Sequence, residues 1–248
     1  MRNRNFLSVT LADFLVRTAY QMGKTPLLPI FAASLGATNV LLGLIVSVST
    51  LTGLVLKPVV GLLSDLRGRR AWLIAGTTFF AFMPFVYGFI TTPGQLFAVR
   101  IIHGLATAIY GPVTLAYVAE QSGGRRAEGL GWFSIARSGG YIVGPALAGW
   151  LLLWLPPEQV FTVSGLLACA AFVPVFTLGE SDRFQSKRVD PGLSLRQKMS
   201  GQALAQTFQR NAVALAAAGR TPALWLAGGL ELIAFTGLYA AKAFLPLY

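Results

Sequence analysis

The chain has 248 residues, 54% apolar and only 12% charged, with 27 glycines. Soluble domains carry about 25% charged residues, so half of that share, with a mean hydropathy of +0.63, cannot cover a water-facing globule and excludes an ordinary cytosolic enzyme. Twenty basic against nine acidic residues give a net charge of +11, which fits nucleic acid or an anionic membrane surface, and the positions of the charges decide between them.

Seven apolar runs reach the length of about 20 residues that a helix needs to cross a hydrocarbon core. In chain order, Phe6–Ala33 carries Asp13, Arg17 and Lys24, and Val40–Leu63 carries Lys57. Ala71–Ile90 is free of charge. Gln95–Ala119 holds Arg100 and the single histidine, His103, and Leu130–Leu155 holds Arg137. Val160–Leu178 is again uncharged, and Ala223–Tyr248 contains Glu231 and Lys242. Long continuous runs, rather than short alternating ones, select helices over a barrel. Between the sixth and seventh, the polar stretch from Glu180 to Asp190 gives way to Leu195, Met199, Leu204 and Phe208 among basic residues. That spacing fits one or two amphipathic helices on the membrane surface, or a solvated linker.

The basic residues are one-sided. Arg2 and Arg4 precede the first run, Arg67, Arg69 and Arg70 join the second to the third, and Arg125 and Arg126 join the fourth to the fifth. Seven more fall between the sixth and seventh, whereas connections 34–39, 91–94 and 156–159 have no lysine or arginine. The positive-inside rule then puts the N-terminus in the cytoplasm and explains the charge without nucleic acid. Trp72, Trp132 and Trp225 fall near cytoplasmic ends and Trp150 and Trp154 near an outer end, at headgroup depth. Asp13, Arg17 and Lys24 interrupt the first run, which reads as an uncleaved span rather than a signal peptide.

The tightest local pattern is Gly61-Leu-Leu-Ser-Asp65-Leu-Arg67-Gly68-Arg69-Arg70. Gly61 permits close helix approach, Gly68 a turn with positive φ, and Asp65 can accept from an arginine or face a helix N-terminus. This loop resembles the signature Gly-x-Leu-x-Asp-Arg-x-Gly-Arg-Arg of the major facilitator superfamily, with Leu66 where the first arginine usually stands and Arg67 one place later. Arg100-Ile-Ile-His103-Gly104 resembles that family's Arg-x-x-Gln-Gly. Gly140-Tyr-Ile-Val-Gly144-Pro145-Ala-Leu-Ala148-Gly149 is similar to a pattern associated with its antiporters. Finally, Asp13-x10-Lys24 followed by Leu28-Pro29-Ile30-Phe31 recurs as Glu231-x10-Lys242 followed by Leu245-Pro246-Leu247-Tyr248, as in a parallel repeat.

The resemblance implies an all-α integral membrane protein of the plasma membrane. Residues 1–178 would be the six-helix N-terminal half, 179–221 a central cytoplasmic loop, and 222–248 the first helix of a second half inside which the chain stops. The implied function is proton-coupled efflux of small drug-like molecules by alternating access, with protons, small-molecule substrate and lipid as partners, the second half in cis, and no cofactor. Gly61, Asp65, Gly68, Arg69 and Arg70 would form a gating loop, and Gly140, Gly144, Pro145 and Gly149 a packing surface. Charges within spans are costly, so Asp13, Arg17, Lys24, Arg100, His103 and Glu231 are the candidate substrate or proton pathway. Asp13 and Arg17 also suit a self-neutralising pair. Lys57 and Arg137, near cytoplasmic ends, are expected to snorkel. His103 suits either a titrating group or a packed neutral imidazole. Six bases against two acids in the spans favour an alternative, organic-anion transport; a non-transporting seven-helix protein is a further one. A membrane enzyme has no metal or nucleophile constellation to stand on.

Overall fold

The first apolar run bends. In the computed structural model, which describes residues 4–179 and a few positions between 209 and 233, it divides into α1 (Arg4–Met22) and α2 (Leu28–Ser34). Between them Thr25 leaves the helical region, at φ −147° and ψ 120°. Pro26 is the cause: its ring crowds the preceding residue out of the α region and removes a backbone donor. The single rod expected over Phe6–Ala33 is corrected accordingly.

Four long helices follow, α3 (Asn39–Arg67), α4 (Arg69–Val86), α5 (Pro93–Gln121) and α6 (Arg126–Leu151). The sixth run forms α7 (Pro157–Ala170) and α8 (Phe172–Phe176). Local chemistry starts these helices. The Thr38 hydroxyl accepts from the Leu41 amide, and Thr92 and Gln95 form a reciprocal capping box ahead of Pro93. No strand occurs among the described residues.

Asn39–Asp65, Arg69–Phe89, Pro93–Gln121 and Pro157–Phe176 are long and apolar enough to cross a membrane. The other two rods are more polar, α1 carrying Arg4, Asp13 and Arg17 and α6 carrying Arg126, Glu128 and Arg137. These two pack against each other, so that Asp13 and Arg17 of α1 meet Arg137 of α6 inside the bundle. Elsewhere α3 lies on α5, and α4 on α5 and α7. Apolar side chains also cover much of the outside: Leu54, Val55, Phe89, Ile142, Leu153, Trp154 and Val173 are 65–83% exposed. Bare leucine and tryptophan on that scale suit lipid, not water.

Helix contact is closest where glycines face a neighbour. A Cβ on Gly144 would lie 2.6 Å from the Thr18 carbonyl oxygen, and one on Gly140 would lie 3.0 Å from Arg17 Cβ. Gly104 plays the same part between α5 and α3, where a Cβ would lie 2.9 Å from the Ser49 carbonyl oxygen. Around Gly149, and likewise Gly61, nothing described lies within 4 Å. Among the described residues, then, none makes the close approach expected at Gly61. Gly144→Ala is expected to destabilise the protein by about 1–3 kcal/mol, because the backbone it meets cannot move aside. Gly149→Ala should change stability by less than about 0.5 kcal/mol. Equal thermal midpoints for the two purified variants would contradict this packing.

The chain divides into two compact units, the first holding the described residues 4–179 and the second the described positions between 209 and 233. In the second, Pro222, Trp225, Leu226, Gly229, Leu230 and Ile233 are helical, and Trp225 donates to the Gly219 carbonyl at 2.6 Å. The amphipathic helices expected over 179–221 and most of the seventh run, including Glu231 and Lys242, lie outside the described residues.

Candidate functional site

At one end of the first unit, the loop between α3 and α4 folds around a single guanidinium. Gly68 makes the turn at φ +91° and ψ 150°, where any other L-residue is strained. That turn brings Arg69 back over the last turn of α3. Its guanidinium donates to Asp65, to Ser64 Oγ at 2.9 Å, and across to Glu120 Oε1 on α5 at 3.1 Å. The basic partner of Asp65 is thus Arg69, four residues on. Arg70 caps a different helix, donating to the Phe176 carbonyl at 3.2 Å. Tyr117 donates to the Gly179 carbonyl, and the Gly179 amide donates to Asn5. Hence the N-terminal region, the 65–70 loop, the end of α5 and the end of α8 share one end of the bundle. Glu120 was not singled out in the sequence. Its signal is an acid closing an apolar run beside arginine-rich connectors.

Deeper in the bundle lies Asp13, 1% exposed on α1. Arg137 of α6 reaches it in a two-pronged contact, Nε to Oδ2 at 2.9 Å and a terminal nitrogen to Oδ1 at 2.8 Å. The same terminal nitrogen donates to Thr114 Oγ1 on α5 at 2.9 Å, and the guanidinium sits 4.5 Å from the centre of the Phe133 ring. Arg137 therefore does not snorkel. It turns inward because a buried carboxylate gives it a fork-shaped partner that lipid and headgroups do not. The expected Asp13–Arg17 pair also forms, at a longer 3.6 Å. One carboxylate is thus held by two guanidiniums from two helices. Lys57 remains exposed on α3.

A third group lines a cleft between α1, α4, α5 and α7. Tyr20, Lys24, Phe80, Tyr87, Arg100, His103 and Phe161 form its walls. The sequence marked Arg100, His103 and Lys24 for a shared pathway, and the fold brings all three to this cleft. Arg17 and Asp13 belong instead to the cluster with Arg137. Arg100, 2% exposed, donates to Ser49 Oγ and to the Ile45 carbonyl. Tyr87 and Phe161 stack with ring centres 4.2 Å apart, and Tyr20 meets Phe80 edge-on at 5.3 Å. Only about one water molecule fits between the walls. Tyr20 and Tyr87 escaped notice in the sequence because tyrosines in apolar runs read as packing.

Apolar helices in lipid, charge pairs buried between them and a polar cleft in the interior together define a multi-pass membrane protein. Residues 9–248 match the Major Facilitator Superfamily, and the chain belongs to that family. An uncharacterized MFS-type transporter of Methanocaldococcus jannaschii, MJ1560, is 32% identical over 149 residues, 60% of this chain and 39% of its own length. Multidrug resistance protein 1 of Bacillus subtilis is 28% identical over 159 residues, 64% of this chain and 41% of its own. The quinolone resistance protein NorA of Staphylococcus aureus is 26% identical over 149 residues, 60% of this chain and 38% of its own. The chain thus matches about two fifths of the length of these relatives.

Proposed function

We propose that this chain supplies the N-terminal half and the start of the second half of a proton-coupled exporter of small drug-like molecules in the plasma membrane. The observation that carries this reading is the aromatic cleft inside a bundle of membrane helices, in a chain similar to relatives named for multidrug and quinolone resistance. Closed here around about one water, the cleft would take a ligand when the halves rock open. Flat aromatic walls then suit varied apolar ligands, since stacking and dispersion need no fixed donor pattern. The charge distribution supports a cytoplasmic N-terminus, because the connectors sharing the Arg69 end are the basic ones.

In this mechanism two halves rock about a midplane site that opens to each side in turn. Coupling needs a group whose protonation favours one state over the other. Asp13 fits if the Arg137 contact opens first, since protonation then removes the charge that holds α6 to α1. Glu231, on the seventh run, is the second carboxylate in this role. The Asp65 loop acts as a latch that holds the cytoplasmic side closed against the second half.

The test is flux. Full-length protein in proteoliposomes with an imposed pH gradient should extrude lipophilic aromatic dyes, and a protonophore should stop it. No gradient-dependent movement of any such compound would overturn the reading.

A further inference from the structure

Asp13 has two partners, and they are not equivalent. Arg137 of α6 grips both carboxylate oxygens. Arg17 of α1 sits 3.6 Å from Oδ1, close enough for an ion pair but beyond hydrogen-bond reach. A better contact is open to it, because an acid and an arginine one turn later on the same helix meet readily in that order. Instead the Arg17 guanidinium lies over the Tyr141 ring, 5.5 Å from its centre, and its Nε is buried with no acceptor. Helix α6 is what holds it there. The α6 backbone presses on the Arg17 stem at Gly140, where a Cβ would lie 3.0 Å from Arg17 Cβ and 3.1 Å from Cγ. Tyr141 is the next residue along. One helix therefore carries both the arginine that occupies Asp13 and the ring that keeps Arg17 aside. From α5, Tyr110 is within electrostatic reach of Asp13, Arg17 and Arg137. Among the described residues, neither arginine pairs with any other carboxylate.

We propose that Arg17 is a positioning residue that takes over Asp13 when α6 moves off α1. Such a movement removes Arg137 and Tyr141 together, because both belong to α6. Arg17 shares a helix with Asp13 and stays behind. It then closes the remaining gap and donates to the carboxylate. The charge is neutralised in both arrangements, by an arginine across the helix interface in one and by an arginine on the same helix in the other. Without the exchange, parting the two helices would leave a bare carboxylate in the bundle, a cost that would lock them together. Two alternative pairings of one carboxylate make a bistable element, with two discrete states rather than gradual loosening. This inference rests on the exporter reading. It supplies the partner of ionised Asp13 in the limb of the cycle where α1 and α6 are apart and no proton covers the carboxylate.

The experiment is a double-variant cycle on the full-length protein, read as thermal midpoints in detergent. Arg17→Leu alone should lower the midpoint by no more than about 2 °C, since Arg137 still holds Asp13. In Arg137→Leu protein the same change should lower it by at least about 6 °C, since the carboxylate then has no partner. In Asp13→Asn protein, which has no charge to cover, the two changes should simply add. Additive losses with Asp13 present, or equal coupling in Asp13→Asn, overturn the proposal. If Arg17→Leu with Arg137→Leu yields no folded protein, adding Asp13→Asn should restore it, and no restoration overturns the proposal as well. Flux gives a second readout. Arg17→Gln should lower the maximal rate of dye export at least about ten-fold while the half-saturating concentration stays within about two-fold, and Arg17→Lys should recover most of the rate. A wild-type rate in Arg17→Gln overturns the exchange and spares the exporter. A wild-type protein that moves no dye, with the midpoints as expected, sinks the exporter and supports the exchange.

Discussion

Replacing Asp13 with alanine is expected to destabilise the protein by about 3–5 kcal/mol, the usual cost of stranding a buried charge by removing its partner. Arg137 is the group stranded, because both of its prongs end on Asp13 and only Thr114 remains as an acceptor. The loss should appear as a lower thermal midpoint and a poor yield of monodisperse protein in detergent. Arg137→Leu should cost less, since Arg17 still reaches Asp13 at 3.6 Å. The double variant Asp13→Leu with Arg137→Leu tests the reasoning. Two well-packed apolar residues in place of a buried pair are often neutral or stabilising, so the double variant should recover most of the stability lost by Asp13→Ala. Additive losses, with no recovery, would show that the two side chains act independently.

The same pair shows where sequence reading stops. The rods were legible because lipid demands about 20 apolar residues in a row, and no tertiary knowledge is needed to see that. The loop was legible for a similar reason: Gly68 and Asp65 do their work within four residues of Arg69, so spacing carries the geometry. Even the bend at Thr25 is a local consequence of Pro26. Arg137 is different. Its partner lies 124 residues away, and nothing in the spacing of α6 tells a lysine-like snorkel from an inward-turned fork. Glu120 was hidden likewise, 51 residues from Arg69. Glycines divide along the same line. Gly144 and Gly149 look alike in a small-residue pattern, yet only Gly144 faces the α1 backbone. The cleft needed four helices before Lys24, His103 and Arg100 could meet.

At the loop, Asp65→Asn is expected to lower transport by the full-length protein at least about ten-fold while leaving membrane insertion and thermal midpoint almost unchanged. The two halves of this expectation come from different facts. The Asp65 side chain is 55% exposed and its pair with Arg69 faces solvent, so losing it should change stability by no more than about 1 kcal/mol. Arg69 keeps Ser64 and Glu120, so the turn at Gly68 and the tie from α4 to α5 persist. What the variant lacks is the negative charge at the end of α3, the feature a latch needs in order to hold a partner surface in one state and release it in the other. Glu120→Gln supplies the comparison. That side chain is only 14% exposed, and losing its charge leaves the partly buried Arg69 guanidinium with less compensation, so stability should fall along with transport. The contrast separates a latch from a strut. Wild-type flux in Asp65→Asn, measured in proteoliposomes under a pH gradient, would leave the exposed carboxylate with no part in gating.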